Sequence, residues 1–182
     1  TGYDAKGRKQ AIYHVSYRAA AEHKKFERTL AFAENLPKLR KHLEKDLSRR
    51  GLSREKVLAT IVTLIDQAYF RVGSEQYARD NNTYGITTMR RKHVAIGATT
   101  VTFDFVGKSN KRRKTVIKDR TLARIIKQLD ELPGYDIFRY VDESGAAIPL
   151  GASDVNTYIK SIMGDEFTAK DFRTWGGTLL AS

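Results

Sequence analysis

Three short stretches, FRVGSEQY at 70–77, FVGKSNKRRK at 105–114 and KDFRTWGG at 170–177, each carry one cation suited to a phosphate: Arg71, Lys108 and Arg173. A guanidinium presents a planar fork that matches two phosphate oxygens, and two of them would grip one phosphoryl group from two sides. A lysine has a compact ammonium whose pKa neighbouring cations lower, so it suits proton delivery to a leaving oxygen. Arg, Lys and Arg together suit a site that breaks a phosphodiester bond. The group that would attack the phosphorus is not apparent in these stretches.

Each cation also has a plainer reading. Arg71 alone could be an interface arginine paired with Glu75, one helical turn on, with its stem packed beside the core. Gly73 beside it permits close backbone approach, and Tyr77 offers a hydroxyl. Lys108 is followed by Lys111, Arg112, Arg113 and Lys114, five cations in seven residues, which repel one another unless an anion is near. A solvated basic turn is the default for such a run. In KDFRTWGG, Phe172, Trp175 and Leu179 recur at core spacing, and Lys170, Arg173 and Gly177 recur on an adjoining face. That face lies near a helix start, where free N–H groups favour a phosphate, although a basic strip on an amphipathic helix has the same pattern.

These side chains need elements to hold them. Residues 1–14 are polar, basic and glycine-spaced, and read as an irregular or extended segment. A helix is expected from Ser16 to about Asn35, with Ala20, Phe26, Leu30 and Ala33 inward. Leu36-Pro37 divides it from a second helix over 37–50 that stops at Gly51. Ser53 caps a third, in which Val57, Ile61, Ile65, Ala68 and Val72 fall within about 40° of one direction. Arg71 would sit on that helix, about 80° from the centre of the stripe. ITTM and HVAIG are short strand candidates, and 100–118 reads as a hairpin whose first strand alternates Val101, Phe103 and Phe105 against Thr100, Thr102 and Asp104. A helix follows at 120–131, on Leu122, Ile125, Ile126 and Leu129. Loop is expected over 133–151, then helices at 153–163 and 168–181 capped by Ser153 and Thr168. The class is α+β, mainly α, with a small antiparallel sheet and hairpin, in one domain.

Charge narrows the partner. The chain of 182 residues carries 33 Lys and Arg against 21 Asp and Glu, a formal net charge of +12. Such a field draws polyanions, nucleic acid first among them. No stretch is apolar and long enough to span a bilayer, so no membrane partner is expected. The absence of cysteine excludes thiolate metal sites and fits a reducing compartment. His14, His23, His42 and His93 lack metal-ligand spacing. The expected location is cytoplasmic, with a bacterial nucleoid or a viral particle equally compatible.

Taken in order, the segments resemble the catalytic domain of type IB DNA topoisomerases of the poxvirus and bacterial kind. GYDAKGRKQ is similar to that family's G-x-D-x-K-G-R-x-Q segment, FRVGSEQY to its first-arginine helix, FVGK to its hairpin lysine and KDFRTWG to its second-arginine helix. The resemblance implies a helical catalytic domain over 16–182 preceded by a linking segment at 1–15. It implies relaxation of supercoiled double-stranded DNA by a monomer: a tyrosine attacks a phosphodiester, holds the strand through a 3′-phosphotyrosyl bond and is displaced on religation, without ATP, metal or other cofactor. Arg71 and Arg173 would stabilise the transition state and Lys108 would be the general acid, assisted by Lys170. Lys6, Arg8, Gln10, Tyr13, Tyr77, Lys111, Arg112 and Arg113 would contact DNA. The family usually has an aromatic after G-R-x-Q, where this sequence has Ala11.

The family's histidine and nucleophilic tyrosine follow the second arginine, and the sequence given ends at Ser182. As written it is expected to be cleavage-incompetent. A tyrosine recombinase shares the Arg–Lys–Arg logic, but its second-arginine motif usually begins with His, where this chain has Lys170. A non-catalytic basic DNA-binding module is the other alternative.

Overall fold

One apolar row, Phe32, Leu36, Leu39 and Leu43, runs along the first helix, α1 (Tyr3–Leu47), and all four side chains are buried. The computed structural model describes the backbone of residues 3–181 and the side chains of residues 17–180. Two expectations fail on α1. The segment over 1–14 is helical from Tyr3, and Pro37 lies inside a single helix of 45 residues instead of dividing two. An interior proline costs about 3 kcal/mol through the lost N–H and its clash with the preceding turn. The apolar row continues in phase on both sides of Pro37, and its burial offsets that cost. The row also decides which face turns inward. Leu30 lies about 160° round the helix from Phe32, and Phe26 about 120°. Both are therefore exposed, contrary to the inward stripe expected for them.

The second helix, α2 (Arg54–Ala68), is the centre of the packing. Ser53 caps it, its Oγ accepting from the Lys56 N–H at 3.3 Å. Val57, Leu58, Ile61, Val62 and Ile65 are buried on several sides of it, against α1 and the helices that follow. It does not continue through Val72. Tyr69 turns left-handed (φ 56°) and closes the last turn, donating its N–H to the Ile65 carbonyl at 2.8 Å. Residues 70–74 are then non-helical, and α3 (Glu75–Asn81) follows. ITTM is a 3₁₀ turn at Ile86–Thr88 and not a strand. Its polar groups bond instead to the segment after α2: Thr87 donates both its N–H and its hydroxyl to the Val72 carbonyl.

Strands β1 (Val94–Ile96), β2 (Thr100–Gly107) and β3 (Lys111–Lys118) form an antiparallel sheet in that order. In β2, Val101, Phe103 and Phe105 face the core, as alternation predicts. Asp119 caps α4 (Arg120–Asp130), which buries Leu122, Ile125, Ile126 and Leu129. The expected loop over 133–151 contains a small hairpin, β4 (Arg139–Val141) with β5 (Ala147–Pro149). Strands of three residues are too short to show alternation in the sequence. Helices α5 (Ala152–Met163) and α6 (Ala169–Ala181) complete the chain. Gly151 rather than Ser153 starts α5, its N–H bonded to Asp154 Oδ2 at 2.9 Å. Phe32 meets Phe167 and Phe172 edge-on at 5.9 and 5.0 Å, which joins α1 to the start of α6. Among the described residues no helix is long and apolar enough to cross a membrane.

A buried carboxylate ties α1 to α5. Asp46 is 1% exposed and accepts from Tyr158 Oη at 2.7 Å and Arg49 Nε at 2.8 Å, with His42 Nε2 at 3.2 Å. Burial raises the Asp46 pKa, but the bonds from Tyr158 and Arg49 and the nearby His42 outweigh it, and the net shift is downward. A depressed carboxyl stabilises the fold above its unfolded pKa, and that contribution is lost as pH falls through the folded value. Tyr158→Phe is expected to lower the unfolding free energy at pH 7 by about 1–3 kcal/mol. The gap to wild type should narrow as pH falls from about 4, where the unfolded carboxyl protonates, through the lower pKa of the folded carboxyl. Urea unfolding across pH measures both, and a gap that ignores pH would show that Tyr158 does not hold Asp46 ionised.

Candidate phosphate-binding site

Arg71 is positioned by backbone contacts. After the left-handed Tyr69, residues 71–73 run alongside residues 85–87. The Ile86 N–H donates to the Arg71 carbonyl at 2.8 Å, and the Thr87 N–H to the Val72 carbonyl at 2.9 Å. Gly73 (φ 95°) and Gly85 meet back to back where the two segments touch. A Cβ on Gly85 would stand 2.4 Å from the Gly73 nitrogen and 2.7 Å from the Arg71 carbonyl oxygen. One residue earlier, the Tyr84 N–H donates to the Val106 carbonyl at 2.8 Å. Arg71 is thereby tied to β2, the strand that leads into Lys108.

Lys108 opens the hairpin tip. Ser109 (φ 64°) and Asn110 (φ 59°) are both left-handed, a conformation that asparagine tolerates and serine adopts at some cost. Arg173 comes from α6, whose start is fixed from two sides. Asp171, buried, accepts from Arg28 of α1 at 2.8 and 3.0 Å and from the Thr168 N–H at 2.8 Å. The Ala169 N–H donates to Asn156 Oδ1 at 3.0 Å. Arg173 Nη1 then donates to the Tyr69 carbonyl at 2.6 Å. The Tyr69 ring lies on Gly176, where an added Cβ would come within 2.5 Å of a ring carbon.

These elements line an open cleft of about 1170 Å³ whose described residues include Arg71, Lys108, Lys170 and Arg173 and no carboxylate. None of the four makes an ion pair among the described residues, and the Arg71–Glu75 pair does not form. By contrast Arg28, Arg40, Arg49, Arg54, Arg91 and Arg112 all sit on aspartates. Among the described residues the cations of the cleft have no carboxylate partner, an arrangement that an anion completes. Burial holds the Arg173 pKa below its ordinary value, with Arg71 and Arg113 adding to the effect. Two guanidiniums facing one space, with an ammonium at its edge, can bind a phosphoryl group and stabilise the charge that builds on it.

The remaining candidates are distributed. Tyr77 lines the cleft and is exposed. Lys111 is exposed at the hairpin tip. Arg112 lies on Asp104, its Nε and Nη2 at 2.9 and 2.6 Å from the two carboxylate oxygens. Arg113 points inward, Nη2 donating to the Ala68 carbonyl at 2.6 Å and the guanidinium lying over the Phe70 ring at 5.1 Å. The side chains of Lys6, Arg8, Gln10 and Tyr13 lie outside the described residues. The N–H groups of Thr168, Ala169 and Asp171 are already bonded, so they are not available to a phosphate as the sequence suggested. Sequence reasoning missed Tyr69, whose carbonyl holds Arg173, and Asn156. Tyr69 acts through its backbone, which residue type does not reveal. Gly85→Ala is expected to cost about 1–3 kcal/mol, because the new methyl meets backbone and not a side chain that can swing away. A urea midpoint unchanged from wild type would show that residues 71–73 are free to move off.

The match to known proteins follows this geometry. The family described as eukaryotic DNA topoisomerase I, catalytic core, matches residues 14–182. The chain is 38% identical over 182 residues to DNA topoisomerase 1B of Acanthamoeba polyphaga mimivirus, covering 98% of this chain and 54% of that protein. It is 28% identical over 165 residues to DNA topoisomerase 1 of Schizosaccharomyces pombe, covering 90% and 19%. To DNA topoisomerase 1B of vaccinia virus it is 25% identical over 135 residues, covering 71% and 42%. The chain thus spans about half the length, or less, of these relatives. The matched region holds all four cations of the cleft, and the chain belongs to the eukaryotic DNA topoisomerase I catalytic-core family.

Proposed function

We propose that this chain forms the catalytic core of a type IB DNA topoisomerase, which relaxes double-stranded DNA by transient cleavage of one strand. The observation that carries this reading is the convergence of Arg71, Lys108, Lys170 and Arg173 on one cleft with no carboxylate among its described residues. Arg71 and Arg173 hold the non-bridging oxygens of the scissile phosphate and stabilise the added charge of the pentavalent transition state. Lys108, on the exposed tip, gives its proton to the leaving 5′-oxygen, with Lys170 assisting. The attacking oxygen is that of a tyrosine, which becomes joined to the 3′-phosphate; this reading assigns it to no tyrosine of the cleft. Cleavage and resealing exchange one phosphodiester for another, so the bond energy is kept and ATP is not needed. The four cations supply the charge stabilisation that a metal ion provides elsewhere. Exposure supports DNA contacts by Tyr77, at the cleft, and by Lys111 and Arg112, on the hairpin.

Plasmid relaxation by the full-length protein, with EDTA and without ATP, tests the reading. Arg71→Ala and Arg173→Ala should each lower the single-turnover cleavage rate roughly 10²–10³-fold at saturating DNA. Full-rate relaxation by either variant would remove that arginine from the mechanism, and no relaxation by wild type would sink the function. The role of Lys108 has a separate signature. A substrate with sulfur at the 5′-bridging position has a leaving group that needs no proton. Lys108→Ala should be slowed roughly 10²–10⁴-fold on the oxygen substrate and far less on the sulfur one. Equal losses on both would assign Lys108 to phosphate binding alone.

A further inference from the structure

Arg112 and Arg113 are adjacent in a basic run, yet the sheet sends them in opposite directions. Arg112 faces outward and pairs with Asp104 across the strands. Arg113 pairs with Phe105 in register and shares its inward face, where Phe103 and Phe105 pack on Phe70 at 5.1 and 5.9 Å. Its guanidinium carbon stands over the Phe70 ring, 5.1 Å from the centroid, and its Nη2 donates to the Ala68 carbonyl, with Nη1 3.5 Å from the Tyr69 carbonyl. The same Tyr69 oxygen receives Arg173 at 2.6 Å. Phe70 immediately precedes Arg71. One short piece of backbone, 68–71, therefore carries the first arginine, receives the second, and is gripped by a side chain of the strand that follows Lys108.

The lysine needs such a grip. It is exposed, with the two left-handed residues of the turn directly after it. The aromatic contacts below the hairpin pack it on Phe70 but make no hydrogen bond to the end of α2. A guanidinium bonded to a carbonyl and stacked on a ring fixes both distance and orientation. Arg113 does not line the cleft, so it is placed to act through its neighbours and not on substrate.

We propose that Arg113 is a positioning residue: by locking β3 to the end of α2 and to Phe70, it sets where Lys108 stands relative to the Arg71–Arg173 pair. This rests on the cleft being a phosphodiester-cleaving site, with Lys108 protonating the leaving oxygen. The test measures single-turnover cleavage by full-length wild type, Arg113→Ala and Arg113→Lys at saturating DNA, on substrates with oxygen or sulfur at the 5′-bridging position. Both variants should lose roughly 10–100-fold on oxygen, because a small misplacement of a catalytic group is costly. Both should come within about threefold of wild type on sulfur, with DNA affinity changed less than about threefold. Arg113→Lys keeps the charge but neither the fork nor the stack, so a wild-type rate for it would overturn the proposal in favour of charge alone. Equal losses on both substrates would overturn it too, as would weakened binding with an unchanged saturated rate.

Hydrogen exchange without DNA reads the lock independently of activity. Amides of residues 105–113 should exchange faster in Arg113→Ala while those of α4 keep wild-type protection. Unchanged exchange in the hairpin, or equal loosening of α4, would overturn the lock even if cleavage falls. If wild type fails to cleave, the functional reading falls; faster exchange confined to the hairpin would still uphold the lock as a fact of the fold.

Discussion

The end of a helix normally presents carbonyls that lack partners, and water or a capping residue satisfies them. At the end of α2 the left-handed turn of Tyr69 leaves the carbonyls of Ala68 and Tyr69 to two guanidiniums, one from β3 and one from α6. The negative end of the helix dipole favours cations there, and the cations are bound by directional bonds as well. Parts of the chain far apart in sequence are drawn to one point. Arg71 leaves that point directly, and the arginine on α6 is oriented by it. The core beneath supports this helix end: α1 and α5 pack on α2, and α6 is anchored to α1 through Arg28 and Asp171.

Electrostatics explains why the arrangement needs such support. Arg71, Arg113 and Arg173 repel one another, and burial adds to the cost of keeping Arg113 and Arg173 charged. Elsewhere the protein solves this with aspartates. At the end of α2 it uses uncharged acceptors, backbone carbonyls and an aromatic face, which hold Arg113 and Arg173 without cancelling their charge. The positive potential therefore remains available to a ligand, and the strain of assembling it is borne by packing.

Much of this was legible in the sequence. The four cleft cations, the β2–β3 hairpin, α4 and α6 all have strong local signals: fixed motifs, alternation over eight residues, or a helical stripe; α5 was expected too, although its cap is Gly151 and not Ser153. What escaped reading depended on competition between local and distant effects. Pro37 signalled a break that the row from Phe32 to Leu43 overrode. The stripe on α2 ran in phase through Val72, but Tyr69 ended the helix by its backbone conformation, to which a tyrosine gives no clue. Arg113 looked like one more member of a basic turn, because charge pattern carries no information about which side of a strand faces the protein. Gly73 and Gly85 are separated by a helix, and their contact is invisible until the chain is folded.

The opposite orientations of Arg112 and Arg113 also bear on how the hairpin can change over time. Side chains along a strand alternate, so a slip of one residue between β2 and β3 would exchange their places. The outward arginine would be thrust toward Phe70, the inward one released to solvent, and Lys108 carried off its position in the same movement. Surface turns ordinarily accept insertions and deletions freely. This one has a tip whose length is coupled to the packing below it, so a gained or lost residue disturbs contacts that a substitution at the tip leaves in place.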